Sequence, residues 1–304
     1  MKPVELKNEP DCEIDCEINQ NETKSITDIF GVENYKTQDP KLKEFFFVPV
    51  SNVNMSNIDM LGGSKSKLKV KLTSNCGLFC GVAIARAEIK GIKTCLKALN
   101  EIANEYNAYI ICLNEDNIAG KEHINSAICH ATRSWFSKNA ISNSFEMEVL
   151  LYAGGIRQCS LAGAFGLQKG ENNLYICVCI FSCFDNDKVR MKTAERGSNI
   201  PGTTSDIILQ ILERLENDKI FLENENKFNF NFLDEIYSDN FSGILDLEER
   251  EKSEEKSEEK MRKLEKIKRL MKMFDITKEE IESVGSERFI DLVIERVALL
   301  DINK

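Results

Sequence analysis

From Leu78 onward the chain alternates between short apolar runs of strand length and longer stretches in which apolar positions recur every three or four residues. Residues 81–89 (GVAIARAEI), 108–114 (AYIICLN), 147–153 (MEVLLYA) and 173–184 (NLYICVCIFSCF) read as strands. Between them, residues 92–107 place Ile92, Cys95, Leu96, Leu99, Ile102 and Ala103 on one helical face. Residues 120–138 do the same with Ile124, Ala127, Ile128, Ala131 and Trp135, and residues 156–166 read as a short helix closed by Gly166. Strands taking turns with helices predict an α/β (mixed α+β) layer fold, a single sheet of about four strands with helices on its faces.

The flanks break this rhythm. Residues 1–44 are polar, interrupted by Pro3, Pro10 and Pro40, and without a sustained period, which predicts weak order. Residues 45–55 (FFFVPVSNVNM) predict an edge strand, because Pro49 has no N–H for a central ladder. Residues 62–71 (GGSKSKLKVK) read as a flexible joint. The organisation expected is a variable N-terminal extension (1–77), a core (78–184), an acidic low-complexity insertion (185–260) and C-terminal helices completing the core (261–304). The insertion holds one helical stretch, SDIILQILERLEN, and the charged run LEEREKSEEKSEEKMRKLEK. Beyond it, Thr277 with Glu280 predicts a capping box, and Ser286 starts the last helix. There Phe289, Ile290, Val293, Val297 and Leu300 form a stripe that Leu292 and Leu299 widen, an arc broad enough to pack on more than one surface.

Composition changes the picture in three places. No run approaches the roughly 18 apolar residues of a membrane span, and the polar start MKPVELKNEPDCEIDCEI has no apolar signal region, so a cytoplasmic location is expected. The 11 cysteines read as thiols, and Cys177 and Cys179 alternate so that one strand face buries both; no paired knuckle spacing suggests a metal. The net charge of −10 belongs to the flanks, since residues 81–185 carry 9 Lys/Arg against 10 Asp/Glu and residues 261–304 carry 10 against 9.

Candidate chemistry gathers at two glycine-led turns. Gly154-Gly155 followed by Arg157 and Gln158 fits neither G-x-G-x-x-G nor G-x-x-x-x-G-K-[ST]. Bare glycines allow close backbone approach, the next helix start offers N–H groups to an anion, and Arg157 adds a planar donor fork. Phosphate of a cofactor, phosphate or base of a nucleic acid, and the geometry of a tight turn all remain open. At Gly120-Lys121-Glu122-His123 the two histidines, His123 and His130, are seven residues apart. That is too wide for an i,i+4 zinc pair, so hydrogen-bonded, partly buried imidazoles are the expectation. Neither a catalytic constellation nor a metal or cofactor site emerges.

Residues 117–167 (NIAGKEHINSAICHATRSWFSKNAISNSFEMEVLLYAGGIRQCSLAGAFGL) and 274–301 (FDITKEEIESVGSERFIDLVIERVALLD) resemble the TPRKB-like subunit family of the KEOPS complex. The shared features are a Gly-x-x-His helix start, a Met-Glu-(Ile/Val)-Leu segment, a small–Gly–x–Arg–Gln turn and a Glu-(Arg/Lys)-(Val/Ile)-Ala-Leu close, over about half of the chain (81–184 and 261–304). The resemblance implies a non-catalytic subunit of the machine that forms threonylcarbamoyladenosine in tRNA, without a cofactor or small-molecule substrate. Its partners would be the single-stranded 3′ CCA end of tRNA and the complex's small atypical kinase/ATPase. On that reading Gly154, Gly155, Arg157 and Gln158 meet the RNA, Lys121, Arg133 and Lys138 form a basic rim, and Tyr152 is a candidate stacking platform. Leu292, Val293, Arg296, Val297 and Leu300 would dock the kinase. A kinase adaptor that ignores RNA and a phosphate-binding enzyme are the alternatives.

Overall fold

The computed structural model describes residues 33–35, 41–50, 76–183, 204–217, 227–229 and 258–302. Its centre is an antiparallel sheet whose two longest strands, β3 (Cys76–Ile89) and β5 (Gly170–Cys183), pair over their whole length, from Cys76↔Cys183 to Ile89↔Gly170. β4 (Tyr109–Asn114) lies outside β5. β2 (Leu42–Pro49) lies outside β3, and β1 (Glu33–Tyr35) outside β2, giving the order β1-β2-β3-β5-β4. β6 (Lys227–Asn229) pairs with β3 at Arg86–Glu88, beyond the stretch that β2 covers. Mixed α/β architecture is thus as the periodicity predicts.

Because side chains alternate across a strand, the sheet has two apolar faces. One is covered by α1 (Ile92–Tyr106), which buries Cys95, Leu99 and Ile102, and by α5 (Thr204–Asn217), which buries Ile207, Ile208, Ile211, Leu212 and Leu215. The other carries α2 (Lys121–Phe136), α3 (Phe145–Gly154), α6 (Glu258–Phe274), α7 (Lys278–Val284) and α8 (Phe289–Ile302). A single turn, α4 (Cys159–Ala162), runs into a 3-10 turn before β5. Cys177 and Cys179 share the second face with Cys80, and the Cys179 thiol lies 3.2 Å from Cys80 Sγ. Burial raises the Cys80 and Cys179 thiols above their ordinary range, the behaviour of core cysteines.

Several expectations need correction. The segment 147–153 is not a strand but most of α3. A run apolar on all sides has no readable period; the choice falls to Ser144, whose side chain accepts from Met147 N–H as an N-cap, and to helix-favouring Leu, Met, Glu and Ala. β2 starts at Leu42 and is not a bare edge, since β1 pairs at Phe45–Phe47, while Pro49 sits past β1's reach. Residues 33–35 and 42–44 are therefore strand, not weakly ordered chain. The helix in the expected insertion is α5, and with β6 it belongs to the core. Leu96, expected on the apolar face of α1, is 45% exposed. The joint at 62–71 and the charged run before residue 258 lie outside the described residues. The capping box is present: Glu280 N–H donates to Thr277 Oγ1 and Thr277 N–H to Glu280 Oε2.

Candidate functional site

The site is built at the end of α3. Gly120, at φ 125°, turns the chain into α2 and delivers His123 into the core. There Nδ1 accepts from Ala119 N–H at 3.0 Å, so Nε2 carries the proton and donates to the Ala153 carbonyl at 2.8 Å. Burial lowers the His123 pKa to about 4, against a raising contribution from the Ala153 carbonyl, so the ring is neutral at neutral pH. His123 is thus a structural pin between the start of α2 and the end of α3. The other end of α3 is held by Glu148, whose buried carboxylate accepts from Ser134 Oγ–H at 2.8 Å and from the N–H groups of Ile141 and Ser142, each at 2.9 Å.

α3 stops in a Schellman motif. Gly155 N–H donates to Tyr152 O and Ile156 N–H to Leu151 O, both at 3.0 Å, with Gly155 left-handed at φ 59°. A Cβ on Gly155 would stand 3.1 Å from the Arg296 carbonyl of α8, and one on Gly154 would strike Phe165 at 2.8 Å and Ile156 at 2.9 Å. The glycine pair is therefore explained by the geometry of a tight turn, which lets α8 and Phe165 approach. It is not a bare ledge after a strand: Gly154 is buried and Gly155 half-buried. The helix expected from Ile156 starts only at Cys159 and is four residues long, too short to present an anion-binding end.

What lies open is beside the glycines. A cleft of about 330 Å³ is bounded by Gly154, Gly155, Ile156 and Arg157 on one side and by the α6–α7 junction and α8 on the other. Phe274, Met273, Leu299 and Leu300 supply its apolar wall, and Arg157, Arg296 and Asp275 its charge. Arg157 and Gln158 are exposed. Arg296 Nη2 donates to Glu280 Oε1 at 2.6 Å. The Glu280 carboxyl is held below its usual range first by the Thr277 backbone N–H and then by Arg296. Asp275, at φ 52°, is one of the few non-glycine residues with positive φ. Two groups that the sequence reading kept apart, the turn with Arg157 and the α8 residues Arg296 and Leu300, thus share one cleft. Its α6–α7 wall has no sequence signal beyond the start of the C-terminal block, because nothing local says what Phe274 and Asp275 face.

The remaining sequence candidates are dispersed. Lys121 is 3.8 Å from Glu44 and 3.9 Å from Glu122. Arg133 lies twelve residues along α2 from Lys121, about 18 Å at the helical rise, and Lys138 follows in a left-handed turn, so the three do not form one rim. Arg133 is 3.7 Å from Asp301, which His130 Nδ1 meets at 2.5 Å and to which the Tyr152 hydroxyl donates. Tyr152 is fully buried, its ring stacked on His130 at 5.5 Å, and cannot be a platform for a base. Leu292, Val293, Val297 and Leu300 are buried in the chain's own core, which removes them from any docking surface. The arc on α8 is broad because the helix wedges between α2 and α3 and beside α7.

Among the described residues, no cluster of three or more His, Cys, Asp or Glu is arranged to hold a metal, and no helix is long and apolar enough to cross a membrane. No protein-family model matches the sequence, and no curated protein matches it.

Proposed function

We propose that this chain is a non-catalytic, cytoplasmic accessory subunit of a KEOPS-type tRNA-modifying assembly, capturing the unpaired 3′ CCA end of tRNA and docking the assembly's small kinase/ATPase. Two sequence blocks in family order support the reading. The observation that carries it is the cleft beside Gly155. An apolar wall with an aromatic ring suits the face of an unpaired base, and two guanidinium groups suit phosphate and base edges. Arg157 and Gln158, exposed at its mouth, are the contacts we assign to the RNA, and the glycines position them rather than touch it. The kinase-docking part moves off the buried seam of α8 onto its outward stripe of Ile290, Ile294, Ala298 and Ile302, of which Ile302 is 77% exposed.

The test is a gel shift with intact tRNA and with tRNA lacking its terminal CCA. The expected result is CCA-dependent binding that Arg157→Ala weakens about tenfold, the loss of a charge-assisted contact of about 1.4 kcal/mol. Equal binding of both RNAs, or none, rejects RNA capture and favours an adaptor. Thermal protection by a free nucleotide would favour a phosphate-binding enzyme.

A further inference from the structure

The strongest charge anomaly lies outside the cleft. Between Met261 and Phe274 the chain, acidic overall, carries six cations (Arg262, Lys263, Lys266, Lys268, Arg269 and Lys272) against one acid, Glu265. The fold sorts them. Leu264, Ile267, Leu270 and Phe274 turn α6 toward the core, and Lys266 is buried with its amine 2.6 Å from the sequestered carboxylate of Glu115. Arg262 reaches the same carboxylate at 2.9 Å, and Arg269 meets Asp116 at 3.3 Å. These pairs anchor the helix flank to the turn after β4. The outward face presents Lys268 and Lys272, one helical turn apart or about 6 Å, with Arg262 and Arg269 alongside and Glu265 as its one acid. An ordinary solvated helix balances such a row with acids three or four residues away. This row leads to the cleft instead, since Lys272 precedes by one residue the first of its wall residues, Met273, Phe274 and Asp275.

We propose that the outward face of α6 is a phosphate track, on which the RNA strand leading away from the cleft lays its backbone. The inference rests on the RNA-capture reading and adds Lys268 and Lys272 as its electrostatic residues. A cationic row continuous with a base-sized cleft matches the combination by which single strands are held, backbone on charge and base on an apolar wall. A membrane surface fits poorly, because the apolar side of the helix is inside the domain and only Met261, at 39% exposure, offers an apolar group at its outer end.

The experiment measures affinity of the full chain for intact and CCA-less tRNA across a salt series, with wild type, Lys268→Gln/Lys272→Gln, and a charge-matched control on the opposite layer, Lys93→Gln/Lys97→Gln. If α6 is the track, its double variant binds intact tRNA about tenfold more weakly at 0.15 M salt. The log–log salt slope becomes shallower by about 1.4 to 1.8, at roughly 0.7 to 0.9 for each phosphate contact. The control would stay at wild-type values, and the α6 effect would persist on CCA-less tRNA wherever residual binding is measurable. Equal behaviour of the two double variants overturns the track while CCA-dependent wild-type binding leaves the capture reading standing. Wild-type binding to neither RNA overturns both. Undiminished tRNA binding by the α6 variant with loss of binding to polyglutamate assigns the face to an acidic polypeptide and also overturns the track.

Discussion

The two layers that cover the sheet are built by different means. Between the sheet and α1 and α5 the contacts are apolar, and among the described residues only Thr204 brings a buried polar side chain from those helices. The opposite layer buries His123, Asn125, Ser126, His130, Thr132 and Ser134 from α2 alone, with Glu148 from α3, Lys266 from α6 and Glu115 from the turn after β4. An apolar layer needs volume to be right, whereas a polar layer needs donors and acceptors matched one by one. The cleft and the cationic face of α6 both belong to the second layer. There the ends of α3, α6 and α8 must meet at defined angles, and directional bonds set angles that dispersion alone leaves loose.

Shape-conserving substitutions sharpen this contrast most. Glu148→Gln keeps the volume but places an NH₂ group against the Ile141 and Ser142 N–H donors, and we expect a loss of about 3 kcal/mol in urea denaturation. Ile211→Leu in the other layer should cost less than about 1.5 kcal/mol by the same measurement. Equal costs would mean that the polar layer is held by packing after all.

Next in size is a pH effect confined to the polar layer. His123 is neutral when folded, with a pKa lowered to about 4, and takes up a proton near 6.5 when unfolded. The unfolded state therefore binds more protons between these values. The stabilisation is full above about pH 6.5 and is lost as pH falls to about 4, a difference on the order of 3 kcal/mol. Urea midpoints measured from pH 7.5 to 4 should drop accordingly in wild type, and His123→Gln should remove that component of the slope.

The smallest expected effect concerns the turn itself. Gly155→Ala meets both a left-handed φ and the Arg296 carbonyl, and should cost about 1–2 kcal/mol. Gly163→Ala, with nothing within 4 Å of an added Cβ, should be close to neutral. Should Gly155→Ala leave stability intact yet abolish tRNA binding, the glycine touches RNA directly and the structural account of it is wrong.

How far residues alone reach can be seen element by element. β3, β4 and β5 were legible because alternating or short β-branched runs between turn residues have one stable arrangement, and α1, α2 and α5 because their apolar stripes have helical spacing. The capping box at Thr277 was legible because it is a contact three residues long. At the candidate site, Arg157 and Gln158 were found as exposed polar groups after a glycine turn, but Phe274, Asp275 and Arg296 as their neighbours were not, nor was the loss of Tyr152 to the interior.

By itself, then, the order of residues determined which segments are amphipathic, where turns and caps fall, and that a layered α/β domain results, since these depend on neighbours within a few positions. Only the tertiary structure decided that the uniformly apolar segment after Ser144 is a helix and that the broad arc of α8 is core. It also decided that the double glycine serves a helix crossing and that cations of α6 lie beside a cleft made by α3 and α8. Each of those depends on what a side chain meets from a segment far away in the chain, and burial of that kind leaves no period in the sequence.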